Sequence, residues 1–225
     1  MALTLFVAGT LIMTLFVAWA TYRSAQLLQH MEVDFNLLLL PAENVLRIGL
    51  VVAALILGRV SGLPREQLGW ISHAPLVDIA IGLVAGVAIQ VPLNGLTAWA
   101  IERFGPHIYS PLVIRSILPR SRDEWPPVLL ALFPSVLVEE LLFRSLLLGG
   151  LSVVVPIWAL VVATALLFGW MHSPQGQLGM VLTAAVSLMF AGLFLWRGSL
   201  LPVLVAHYVV NLMQLVLAYR HPERI

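Results

Sequence analysis

Runs of about 20 apolar residues, broken by short polar clusters, succeed one another along the chain. A helix needs about 20 such residues to cross the hydrocarbon core of a bilayer. On that measure the pattern predicts about seven membrane helices, within a range of six to eight: Ala2–Tyr22, Leu37–Gly58, Leu76–Ile101, Trp125–Leu148, Val153–His172, Leu178–Trp196 and Leu200–Tyr219. The breaks carry turn chemistry: Gly149-Gly150, Ser173-Pro174-Gln175-Gly176 and Arg197-Gly198-Ser199. In the second helix, Glu43 and Arg47 are spaced i,i+4 and are expected to pair near the interface. Gln90, Pro92 and Asn94 sit mid-helix in the third, which predicts a kink facing protein or water. Helix–helix hydrogen bonding is the plainer role for Gln90 and Asn94. Pro134 predicts a second kink, in the fourth helix.

The longest polar stretch, Gly105–Glu124, separates the third and fourth helices. Pro111–Leu118 inside it reads as a short interfacial helix. Ser121-Arg122-Asp123-Glu124 has the spacing of a capping box. Pro126 and Pro127 suit a first helical turn, and Trp125 suits the interface belt. The first 22 residues lack a basic leader, and Arg23 follows the apolar run, so this segment is read as a membrane helix rather than a cleaved signal.

Composition agrees with the pattern. Hydrophobic residues make up 60% and charged residues 10%, against about 45–50% and about 25% in soluble domains. The expected fold is all-α, a polytopic helical integral membrane protein. Residues 1–124 would form about three membrane helices and an interfacial loop, 125–219 a core of four helices, and 220–225 a short tail. There is no cysteine and no lysine. Thiolate nucleophiles, Cys metal sites, Schiff bases and lysine bases are thereby excluded. A net charge of +1 without a basic tract gives no footing for a nucleic-acid partner. With seven helices, Arg23, Arg103, Arg115, Arg120, Arg122, Arg220 and Arg224 fall on one face, and Arg59, Arg65 and Arg197 on the other. The positive-inside rule puts the first face in the cytoplasm.

Between Trp125 and Tyr219 the only formal charges are Glu139, Glu140, Arg144 and Arg197. The first three lie within one six-residue stretch of a membrane helix, where each charge costs roughly 2.5–3.5 kcal/mol on insertion scales. Successive helical residues point about 100° apart. Both glutamates are therefore expected to face different partners. Glu140 and Arg144 are i,i+4 with the acid first, the favourable order. Glu139 is left without a local cation and free to act as a general base. Taken alone, the stretch equally suits a structural or transporter ion pair. Phe168 and His172 are i,i+4 at a helix end, where a histidine is also an ordinary interfacial residue. His207 and Asn211 share one face of the last helix; either could donate to an oxyanion, or the two could serve an interhelical hydrogen bond. At about 1.5 Å per residue, Glu139 and His207 fall at similar depth, and His172 does not.

Glu-Glu-x-x-x-Arg, Phe-x-x-x-His and His-x-x-x-Asn, in this order on successive helices, resemble the CPBP family. That family comprises type II CAAX prenyl endopeptidases and bacteriocin-processing or immunity proteins, also called Abi proteins. The likeness covers about Trp125–Leu215. It implies an intramembrane endopeptidase of the cell membrane with a cytosol-facing cavity. Glu139 would activate water with His172, His207 and Asn211 would hold the oxyanion, and Glu140, Arg144 and Phe168 would support the site. The implied partners are a peptide or protein substrate, prenylated or not, and membrane lipid. No cofactor is firmly predicted. Glu139, His172 and His207 could hold zinc as a His₂Glu set, yet His-Glu-x-x-His is absent and a metal-free glutamate mechanism suits the residues as well. A proton-coupled transporter and a non-catalytic immunity or scaffold protein are the competing readings.

Overall fold

The computed structural model describes residues 1–28, 30 and 35–222. Arg224, counted above towards orientation, and the last part of the expected tail lie outside them. Among the described residues the regular structure is all helical. The helices are α1 (Ala2–Leu28), α2 (Pro41–Val60), α3 (Pro75–Phe104), α4 (Leu112–Ile117), α5 (Trp125–Glu140), α6 (Ile157–Met171), α7 (Gly176–Arg197) and α8 (Leu201–Arg220). From Leu141 to Gly150, α5 continues as a ten-residue π-helix. Six of these stretches are long and apolar enough to cross a membrane, and α6 is a shorter apolar helix. The chain is an integral membrane protein of the polytopic helical class.

Each boundary has a local cause. Pro41 and Pro75 stand in the first turns of α2 and α3, where a missing N–H costs no hydrogen bond. Pro92 and Pro134 lie inside α3 and α5, which run on through them. Pro156 is the N-cap of α6, so that helix begins later than the hydrophobic pattern alone predicts. The short interfacial helix is present as α4. The expected capping box is not formed, because the Ser121 side chain makes no cap hydrogen bond. Glu124 instead accepts from the backbone N–H of Arg120 at 2.9 Å, across a 3₁₀ turn over Arg122–Glu124. The Glu43–Arg47 pair forms, at 3.4 Å.

The core is common to both halves of the chain. Phe6 and Met13 of α1 and Ala54 of α2 join Leu142, Phe143 and Leu146 in one buried cluster. The α2–α3 connection plugs one end of it. There Trp70 Nε1–H donates to Ser145 Oγ at 2.8 Å, and buried Asp78 accepts from Ser72 at 2.6 Å and Arg197 at 2.8 Å. At 15 residues α6 is about 22 Å long, short of the roughly 30 Å core. Its outward stripe is Trp158, Val162, Leu166 and Trp170, all exposed.

The closest helix packing holds α8 in place. Gly82 and Gly86, four residues apart on α3, face α8, and a Cβ at either would meet backbone: Pro202 O at 2.6 Å and Ala206 O at 2.8 Å. Small residues at such spacing let membrane helices approach closely. Further along α3, Gln90 donates to Asn94 at 2.6 Å and accepts from Gln214 of α8 at 3.4 Å. This is the interhelical role expected of Gln90. Gly86→Leu should therefore push α8 away and lower stability by about 1–3 kcal/mol. Gly95→Leu, in open space on the same helix, should change it by less than about 0.5 kcal/mol. Thermal unfolding of the two variants in detergent checks the contrast; equal shifts would refute a packing role for Gly86.

Candidate active site

Three helix segments bring the sequence motifs together. The end of α5 supplies Glu139 and Glu140, and the π-helical segment supplies Arg144. His172 closes α6, and His207 and Asn211 come from α8. The π-helix is a rare geometry that occurs mostly at functional sites.

Glu140 is fully buried and Arg144 is 1% exposed. The Arg144 guanidinium donates to Glu140 Oε1 at 3.2 Å and, from α5 across to α7, to Ser187 O at 3.2 Å and Ser187 Oγ at 3.0 Å. Phe143, Phe168 and Phe190 surround it, with ring centroids 5.9, 5.1 and 5.4 Å from its central carbon. Burying this charge is tolerable because it is paired, hydrogen-bonded and stacked at once.

His207 corrects the expectation that the two glutamates face different partners. Its Nδ1–H donates to Glu140 Oε1 at 2.6 Å, and its Nε2 lies 3.6 Å from Glu139 Oε2. Adjacent helical positions do point apart, but an imidazole carries its nitrogens on two edges, and long glutamate side chains reach both. Glu140 is thus shared between Arg144 and His207. The Phe190 ring packs 5.2 Å from the His207 ring. Glu139 differs from its neighbour in access: its side chain is 29% exposed against 0% for Glu140. Its Oε2 has no hydrogen-bond partner.

His172 joins the group through Phe168. The two rings lie 4.6 Å apart, and Phe168 is in turn 6.2 Å from His207. The His172 Nδ1–H donates to the Phe168 carbonyl at 2.7 Å, which leaves Nε2 as an acceptor. α6 ends at Met171, and His172 is its half-buried C-cap residue. The turn after His172 is held by Ser110 N–H, which donates to Gln175 O at 2.9 Å. It also needs Gly176, whose φ is +82° and whose Cβ position lies 2.7 Å from Ile108 O. In the α3–α4 connection, outside the membrane helices, burial pushes the Tyr109 phenol above its ordinary range.

Asn211 lies one turn beyond His207 on α8, half-buried, and among the described residues it makes no hydrogen bond to the other candidates. Ser187 and Phe190 of α7 were not singled out in the sequence. A serine and a phenylalanine three residues apart in an apolar helix look like ordinary filler, and only the approach of α7 to Arg144 gives them a role.

The fit to a metal is poor. Each histidine has its second ring nitrogen free, as a metal ligand would. Among the described residues, however, no three His, Asp or Glu side chains converge closely enough to hold an ion.

Comparison with known proteins adds one finding. No curated protein and no solved structure matches the chain. The Rce1-like family model, described as type II CAAX prenyl endopeptidase Rce1-like, matches residues 121–213. That stretch contains Glu139, Glu140, Arg144, Phe168, His172, His207 and Asn211, so the part of this membrane protein that builds the site is the part that is similar to the type II CAAX prenyl endopeptidases.

Proposed function

We propose that this protein is an intramembrane endopeptidase in which Glu139 activates the attacking water. The observation that carries the reading is the contrast between two adjacent acids. Glu140 is dry and held by Arg144 and His207, whereas the Glu139 side chain is 29% exposed and turns its buried Oε2 towards the same histidine. A general base must reach both a water and the reacting atoms, and only Glu139 meets the first condition.

The chemistry follows from the hydrogen bonds. A water at the exposed part of Glu139 gives up its proton to that carboxylate, with His172 Nε2 accepting its second hydrogen bond. The hydroxide adds to the peptide carbonyl. The resulting oxyanion calls for donors, which the Asn211 amide and the His207 Nε2–H, when that ring is doubly protonated, supply. Glu139 then returns the proton to the leaving amine. Glu140 orients His207 through Nδ1 and fixes which ring edge faces the substrate. Substrates with CAAX-like prenylated ends, or bacteriocin and leader peptides, fit a site reached from within the membrane. The arginine distribution supports an opening towards the cytoplasm.

The test is hydrolysis of a quenched fluorescent farnesylated CAAX peptide by detergent-purified protein, with and without a zinc chelator. Cleavage is expected, at a rate the chelator leaves unchanged. Complete loss with chelator, restored by zinc alone, would overturn the metal-free mechanism. A folded protein that cleaves neither this peptide nor a panel of leader peptides would favour the immunity or scaffold reading.

A further inference from the structure

Among the described residues, Arg47 of the membrane helix α2 is a largely buried cation that the mechanism does not use. It lies on the inward stripe of α2, in register with Leu50, Val51 and Ala54, which pack into the core. It faces protein rather than lipid, and its side chain is only 18% exposed. The guanidinium is under-used: Nη2 donates to Glu43 at 3.4 Å, and Nη1 is buried with no partner. Arg144 offers the contrast, with every near neighbour engaged. The acids whose charges act on Arg47 are Glu43 and Glu139, yet no ion pair joins Arg47 to Glu139 among the described residues. α2 packs along α5, the helix whose end carries Glu139.

A charged side chain inside a membrane protein that faces the interior marks a binding or transport function by default. A guanidinium with a free N–H edge is matched by a carboxylate, which it can hold by charge-assisted hydrogen bonds. We infer that Arg47 is a specificity residue that binds a carboxylate of the peptide substrate, either its free C-terminus or an acidic side chain close to the bond attacked. Endopeptidase action as proposed above is assumed in this assignment. Arg47 would then select which peptides enter the site, while Glu139 performs the chemistry on those that do. Glu43 holds the guanidinium in place when no substrate is bound.

The experiment measures binding without turnover, in a Glu139→Gln background. The probes are a farnesylated tetrapeptide as free acid, the same peptide as C-terminal amide, and an amidated version carrying an internal Asp. The free acid is expected to bind about 10- to 100-fold more tightly than the plain amide. In the added Arg47→Gln variant that preference should vanish while amide affinity stays the same. Arg47→Lys, which keeps the charge without the fork, should retain part of it and also controls for folding. Tight binding of the Asp-containing amide would identify a side-chain carboxylate as the source, and weak binding the chain terminus. Equal affinity for the free acid, the plain amide and the Asp-containing amide, or a preference for a carboxylate that survives Arg47→Gln, would overturn the assignment. Acid-selective binding by a wild-type protein that cleaves nothing would count against the endopeptidase reading alone.

Discussion

Glu139→Gln is expected to lower peptide hydrolysis by roughly 10²- to 10⁴-fold, the usual contribution of a general base, while leaving the folded protein intact. The amide has the shape of the carboxylate but cannot accept a proton at neutral pH. Folding should be indifferent, because the Glu139 side chain is 29% exposed and its Oε2 gives up no hydrogen bond. The neighbouring substitution makes the comparison informative. Glu140→Gln removes a buried charge that anchors both Arg144 and His207, so it should cost stability as well as activity. Initial rates and unfolding midpoints of both variants in one detergent decide the matter. Wild-type cleavage by Glu139→Gln would eliminate this residue as the base.

Arg144→Met should be the most destabilising single change in the site. Removing one member of a buried ion pair typically costs about 3–5 kcal/mol, because the remaining charge stays in a dry environment. Here Glu140 would keep only His207, and Ser187 would lose its bond from the guanidinium. Three phenylalanine rings would also face a thioether in place of a cation. The double variant Glu140→Leu, Arg144→Met separates charge from packing. With both charges replaced by apolar groups, part of the lost stability should return, though His207 Nδ1–H is left without its acceptor, and activity should not return, since His207 loses its anchor. Chemical denaturation in detergent measures the first effect and the peptide assay the second. A single Arg144→Met variant as stable as wild type would show that the pair does not stabilise the fold.

Much of the architecture could be read from hydrophobic run lengths. The membrane helices fall near their expected places, and α4 and the Glu43–Arg47 pair are where local spacing puts them. Local geometry also gave the Glu140–Arg144 contact, because i,i+4 neighbours on one helix meet whatever the rest of the chain does. What spacing could not reach was anything requiring the rotation of one helix against another. That both glutamates converge on His207 depends on how α8 sits against α5. The partnership of Ser187 with Arg144 depends in the same way on α7. Gly82 and Gly86 were visible as small residues, but their task is defined by Pro202 and Ala206 across the contact. The Ser121 cap failed for a related reason, as Glu124 reached back to Arg120 and the connection folded as a 3₁₀ turn.

The short α6 has a consequence for the surrounding lipid. Trp158 and Trp170, residues of the kind that settle at headgroup level, stand on the exposed stripe of this helix only about 18 Å apart along its axis. A bilayer of ordinary thickness cannot satisfy both rings without adjusting. It must be drawn in around α6, at the modest elastic cost of hydrophobic mismatch. Any such thinning falls on the lipid beside the helix that leads into His172. Acyl-chain length becomes a variable of the site itself: thicker membranes oppose the compression, and thinner ones relieve it.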